Sequence, residues 1–372
     1  MRIVKILFVA SSFCGLLPDL AGAEGSVELV VSKVLGNQSC ATSGCHGGSG
    51  PLHGTMAKFT REDPHARSFA TLATPRSARM GEALGIADVT TSPSCTACHA
   101  PAAVVPEAMR GEDLRIADGV GCASCHDSSD TWLRSHTRPD IDHSQKVAAG
   151  MRDLRPAYAR ANACVACHQV IEPKLVDTGR HPRLIFELDG MIAAEPPHWR
   201  EVHGWDGAKA WFVGQAVAWR EAAAARNAGR DDSVGAAERE RALAWLVRRT
   251  GGATSAGRVD FDAKSGEADA YARKAGESWQ AADGEKALRD LAKCAGEFRD
   301  SKVTRLEQAY RAERLVLGLD RLLAAWPERV RAAACGSTLT KLFAAAQSVP
   351  DFSPEEFAAR LDGFEKALTE SK

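Results

Sequence analysis

Between residues 40 and 168 a pair of cysteines is followed at once by a histidine, four times over. Three copies are compact: Cys95-Thr-Ala-Cys98-His99, Cys122-Ala-Ser-Cys125-His126 and Cys164-Val-Ala-Cys167-His168. The first is longer, Cys40-Ala-Thr-Ser-Gly-Cys45-His46. Each reads as an attachment signature for haem c, the first in a variant form. Two thiols add across the two vinyl groups of the porphyrin, so their spacing must match the vinyl separation. The histidine that follows then lies under the ring and supplies the proximal nitrogen to iron. In the first motif the extra residues must loop out, and Ser43-Gly44 is expected to ease this because glycine tolerates unusual dihedrals. A four-cysteine zinc ribbon would use similar spacing at Cys95/Cys98 and Cys122/Cys125. It leaves the recurring histidine unexplained. The cofactors expected are therefore four covalently bound haem c groups, with His46, His99, His126 and His168 as proximal ligands.

Such chemistry belongs outside the cytoplasm, and the N-terminus agrees. Residues 1–23 read as a secretory signal: Arg2 and Lys5 give the positive start, Ile6 to Ala10 and Phe13 to Leu17 the apolar middle, and Ala21-Gly22-Ala23 a small-residue cleavage site. Pro18 and Asp19 cut the stretch short of the roughly 20 apolar residues of a spanning helix. Phe13 before Cys14 is too large for a lipoprotein cleavage site. No later stretch is apolar enough to span a bilayer, so the mature chain is expected to be soluble and periplasmic. Cys294 and Cys335 lie far from the motifs. In an oxidising compartment a disulfide between them is the default expectation, with two buried free thiols as the alternative.

A six-coordinate iron needs a second ligand. The histidines outside the motifs are His53, His65, His136, His143, His181, His198 and His203. His65 sits in Asp63-Pro64-His65-Ala66, an N-cap followed by proline at the first helical position, which would hold the imidazole rigidly. His136 closes a short helical turn in which Trp132 is one turn back on the same face, so both could touch one haem. His181 precedes Pro182 in an extended stretch from Thr178 to Phe186. His198 follows Pro196-Pro197, at the start of the next helical run, and is preferred to His203. His65, His136, His181 and His198 are the expected distal ligands; His53 and His143, in loops, are weaker candidates.

Residues 24–204 are rich in Gly, Pro and short helical turns with no alternating strand pattern. Haems would replace much of a side-chain core there, in keeping with an aromatic content of only 6%. Gly119-Val120-Gly121 before the third motif allows close backbone approach. From residue 205 to 372 the chain turns to Ala, Arg, Glu and Leu with helical periodicity. Helices are expected over 207–227, 235–249, 267–281, 285–298, 303–325 and 354–369, with a linker at 250–257. The fold class is mainly α, a loop-rich multihaem domain followed by an all-helical bundle tail.

With its motif order, His65 in a Pro-His-Ala context, Gly119-Val120-Gly121-Cys122 leading the third motif and a histidine shortly beyond it, the region from about 38 to 200 resembles the cytochrome c-554 family. Those are mainly helical tetrahaem proteins that accept electrons from hydroxylamine oxidoreductase, with haems stacked in close pairs. The resemblance implies that His65 is the distal ligand of the fourth haem, His136 that of the first, and His181 or His198 that of the third. It also implies a five-coordinate second haem with His99 as its sole protein ligand. The four-residue gap of the first motif, the long helical tail and the Thr178–His198 stretch depart from the family and look more like other multihaem cytochromes.

A formal charge of −1 argues against nucleic acid as a partner. Loss of Arg2, Lys5 and Asp19 with the signal takes it to −2, and haem propionates would add negative charge, favouring partners with a basic patch. The function expected first is electron transfer between a redox protein donor and acceptor. The alternative is an oxidoreductase acting on a small nitrogen or sulfur compound at one five-coordinate haem, although no dedicated catalytic motif is present. The tail's charged faces read most simply as solvated surface, and docking of the tail onto a membrane complex is the further possibility.

Overall fold

The computed structural model describes residues 32–50, 53–201, 204–257, 265–326 and 329–370. The expected export signal with Cys14, and His203, lie outside the described residues. Those residues belong to one compact unit. It is helical, with short 3-10 turns; among the described residues the sole β-type pairing is an isolated bridge between Val34 and Arg110. No described helix is long and apolar enough to cross a membrane.

The C-terminal part is built around helix Gly207–Asn227. The Asp206 side chain caps it by accepting from the Lys209 amide at 2.9 Å, and Gly229 beyond its end turns left-handed at φ +64°. Trp211, Phe212, Val213, Ala216, Val217 and Trp219 are all fully buried. A helix apolar on nearly every face must lie inside its neighbours, and helices Ala236–Ala253, Ser265–Ser278 and Arg305–Ala324 surround it. Each large side chain removed from water contributes about 1.5–3 kcal/mol. Helix Ala157–His168, which carries the fourth cysteine motif at its end, packs against Gly207–Asn227 and Ser265–Ser278. The bundle therefore holds one of the motifs directly.

Several expectations need correction. Helix Ala236–Ala253 runs through the start of the expected linker, burying Thr250 and Gly251. Gly251 works here as a close-packing residue: any Cβ would collide with the Tyr271 hydroxyl. The expected helix over 285–298 is broken into Asp283–Ala292 and Ala295–Phe298. Helix Arg329–Ala345 was not expected at all. Cys294 and Cys335 are both buried and neither forms a disulfide; burial pushes the Cys294 thiol up to about 12. Gly44 has no left-handed φ, so the first motif's loop does not depend on its freedom.

Candidate haem sites

The three compact motifs each end a helix: Pro93–His99, Cys122–His126 and Ala157–His168. On a helix the first cysteine, the second three residues on and the histidine four residues on share one face. The first motif reaches the same end by another route. Helix Asn37–Cys40 stops at the first cysteine, residues 43–47 form turns, and the His46 amide donates back to the Cys40 carbonyl at 3.1 Å. All eight motif cysteines are half-buried.

The distal candidates come from separate segments. Asp63 caps the 3-10 turn Pro64–Arg67, accepting from the His65 amide at 2.8 Å. His136 lies in the turn Ser135–Thr137, and the Trp132 ring stands edge-on to it at 5.3 Å between centroids. His181 follows Arg180, one of two non-glycine residues with left-handed φ among the described residues; the other is Asp127, directly after His126. His198 lies in an irregular segment before residue 207, not at the start of a helix as expected.

These segments bring the histidines together in facing pairs. Ring centroids are 6.3 Å apart for His46 and His136, 6.0 Å for His65 and His168, and 6.3 Å for His99 and His181. Two metal–nitrogen bonds of about 2 Å plus the two ring half-widths of about 1 Å add to about 6 Å. The pairs therefore have the separation of imidazoles on opposite sides of one metal atom. His126 and His198 are also within electrostatic reach of each other. Burial lowers the His126 pKa to about 4, and His198 makes the largest charge contribution to that shift. Burial also lowers His99, His168 and His198, keeping them in the neutral form that a metal requires.

Each of the three pairs has at least one imidazole anchored through Nδ1, leaving Nε2 for the metal side. His65 Nδ1 bonds to Asp63 Oδ1 at 2.9 Å, His136 Nδ1 to the Leu133 carbonyl at 2.6 Å, and His181 Nδ1 to the Pro182 carbonyl at 2.8 Å. His99 Nδ1 lies 3.1 Å from the Ser68 carbonyl and 3.0 Å from Thr71 Oγ1. This is the second layer of contacts that metal-bound histidines carry. His46 departs from it, with a buried Nδ1 that has no hydrogen-bond partner among the described residues. His143 is used differently: it opens helix His143–Ala148, and its Nε2 is taken by Asp153 at 3.0 Å. His53 is exposed, with Nδ1 on the Cys45 carbonyl at 2.6 Å.

Glu195, which the sequence did not single out, joins residues that it did in completing the sites. Asp63, His65 and Glu195 bring their ligand atoms within 4.8 Å of one another. The Trp132 indole N–H is buried with no acceptor among the described residues. A haem propionate would supply such an acceptor, so this donor, the facing imidazoles and the paired thiols all suit a covalently bound haem. The thiols are themselves neighbours across motifs. Cys40 and Cys122 interact, the first lowered and the second raised by the contact; Cys98, lowered to about 7, is paired with Cys167 in the same way.

Residues 39–127 match the family model of cytochrome c554 and c-prime. This segment is cytochrome c554-like. The match takes in the first three motifs and His65, and stops short of His136, the fourth motif, His181 and His198. Comparison with curated proteins and with solved structures finds no match. The match over this segment supports a haem-based electron-transfer cytochrome with covalently attached haem c.

Proposed function

We propose that the protein is an exported, periplasmic tetrahaem c-type cytochrome, cleaved after Ala23, that passes electrons between a donor and an acceptor protein. The observation that carries this reading is the set of facing imidazoles about 6 Å apart beside the cysteine pairs. Cys40/Cys45 with His46 and His136 would hold the first haem. Cys95/Cys98 with His99 and His181 would hold the second, Cys122/Cys125 with His126 and His198 the third, and Cys164/Cys167 with His168 and His65 the fourth. A haem held between two such imidazoles would supply one-electron exchange with little rearrangement around it. The protein's part is to fix those imidazoles, through Asp63 and the Ser68, Leu133 and Pro182 carbonyls, and to keep His99, His126, His168 and His198 neutral by burial.

The cysteine neighbours support an order of sites. Cys40 lies by Cys122, Cys125 is close enough to Cys164 for their charges to interact, and Cys167 lies by Cys98. The reading is a row in the order first, third, fourth, second, with the first and second sites at its ends. Helices 207–370 would act as scaffold and as a platform for a partner.

The family resemblance pointed to an open position at the second haem, where a small nitrogen or sulfur compound could react. The nearness of His181 to His99 supports a filled position there and so favours the carrier over the catalyst. The test is a haem count with optical and EPR spectra of the protein produced in a host that matures c-type cytochromes. Four haems, all low-spin, are expected. Fewer than four, or free motif thiols, would overturn the reading; four haems with one high-spin would turn it toward the enzyme.

A further inference from the structure

Ser68 opens helix Ser68–Leu72 directly after the His65 turn. Its hydroxyl lies 2.8 Å from the His65 carbonyl and 2.9 Å from the His99 carbonyl. The same oxygen accepts from the Val120 amide at 2.9 Å, two residues ahead of the third motif. Its own carbonyl accepts from His99 Nδ1 at 3.1 Å and from Thr71 Oγ1 at 2.6 Å. Gly119 turns left-handed at φ +69° against it, where a Cβ would press on Ser68 Oγ. One residue thus touches the backbone of two histidines that face different partners, and the ring of one of them.

A hydroxyl has one proton to donate and can accept with its lone pairs. The Ser68 proton is therefore shared between the carbonyls of His65 and His99. A shift of either backbone changes the bond to the other. The Ser68 carbonyl acts on the His99 imidazole more directly, because the strength of an Nδ1–H···O bond sets how much electron density the ring gives to a metal on its far side. Thr71 bears on the same carbonyl: donation from its hydroxyl weakens the carbonyl's hold on His99.

We propose that Ser68 is a positioning residue that ties the ligand environments of the second and fourth haem sites together. This rests on the reading of His65 and His99 as iron ligands. The competing role is that of a residue that merely satisfies backbone groups where three segments meet.

The experiment is an EPR-monitored redox titration of the full holoprotein, with sites assigned from His181→Ala and His65→Ala. Ser68→Ala is expected to shift both the second and fourth sites by at least twofold in their reduction equilibrium, about 18 mV at about 59 mV per tenfold for one electron. The first site should stay in place. Thr71→Val touches only the His99 side, where its hydroxyl lies against both the Ser68 carbonyl and His99 Nδ1, so it should shift the second potential by a similar factor and leave the fourth alone. Ser68→Thr keeps the hydroxyl and should restore much of the wild-type pattern. Four haems with all potentials unchanged in Ser68→Ala, or an equal shift at every site, overturns the proposal. Should Ser68→Ala fail to mature, Ser68→Cys, with its weaker donor, decides it: unchanged second and fourth potentials refute the coupling. A wild-type protein with fewer than four haems would instead refute the function proposed above, before Ser68 is tested.

Discussion

His99 and His181 face each other with ring centroids 6.3 Å apart and planes at 69°, and each is anchored through Nδ1. His99 ends the helix of the second motif. His181 comes from an extended segment that runs on to Phe186, whose carbonyl accepts from the buried Arg314 guanidinium at 2.9 Å and from Gln215 at 3.2 Å. A histidine that reaches a motif from so far along the chain, in a segment held by the bundle at Phe186, supports the proposed filled second site, where the resemblance implied an open one.

That pairing predicts a spectroscopic change. His181→Ala should convert one haem to a high-spin form that binds carbon monoxide, with the others untouched, and added imidazole should restore the low-spin signal. An unchanged low-spin spectrum would show that His99 is served by another group.

Much of this site is local in sequence and could be read from it. The spacing of Cys95, Cys98 and His99 sets one helical face whatever surrounds it, and Asp63-Pro64-His65 forms the capped turn its residues favour. The pairings His46–His136 and His65–His168 follow the resemblance. His181 did not resolve in the same way: the Phe186 carbonyl beyond it is held by Arg314 and Gln215, both remote from it in sequence, and nothing local to His181 says which motif histidine it faces. In the bundle, Gly207–Asn227 was legible because Asp206 and Gly229 mark its ends. Arg329–Ala345, rich in Ala, Gly, Ser and Thr, has no clear apolar stripe and gains its structure from helices Arg305–Ala324 and Pro354–Glu370 beside it. Thr250-Gly251 reads as a breaker locally, yet is helical because Tyr271 packs on the bare glycine.

His143 offers a contrast with the paired histidines. Its Nε2 is engaged by Asp153, and both side chains are about a third exposed. His143→Gln should leave the optical and EPR spectra unchanged and cost less than about 1 kcal/mol in a chemical denaturation experiment. Loss of a low-spin signal in this variant would place it among the ligands and break the assignment made here.

Arg314 links the bundle to the His181 segment. Burial pushes its guanidinium down to about 10, and its Nη1 donates to the Phe186 carbonyl and, at 3.3 Å, to Gln215 Oε1. Arg314→Met keeps most of the side-chain volume and removes a charged donor from a buried carbonyl, a change of about 2 kcal/mol. Thermal unfolding should register that loss. Because Phe186 shares a segment with His181, the EPR signal of the second haem should also broaden, while that of the His46–His136 haem should not. Broadening of every signal alike would point to general loosening instead.

Glu187 should give the protein a pH-dependent stability that runs opposite to the usual carboxylate case. It is 8% exposed, and burial first, with Asp189 adding to it, lifts its carboxyl from 4.5 to about 7, against the amides of Asp189 and Gly190 that donate to it at 2.9 and 2.6 Å. A carboxyl whose folded pKa is raised favours the folded state while it stays protonated. Its contribution is complete below about 4.5 and is lost as pH rises through about 7, amounting to roughly 3 kcal/mol over that window. Glu187→Gln is neutral throughout and keeps an oxygen for one of the two amides. Denaturation from pH 4.5 to 8 should show the variant gaining on the wild type as pH rises, with the difference levelling above about pH 7.5. Subtracting the two curves removes the opposite slope from Asp63, Asp113 and Asp283, whose carboxyls are held low by hydrogen bonds that outweigh their burial. A difference that stays constant across the window would mean that Glu187 is ionised in the folded protein at acid pH, held by its two amide donors rather than neutralised by its surroundings.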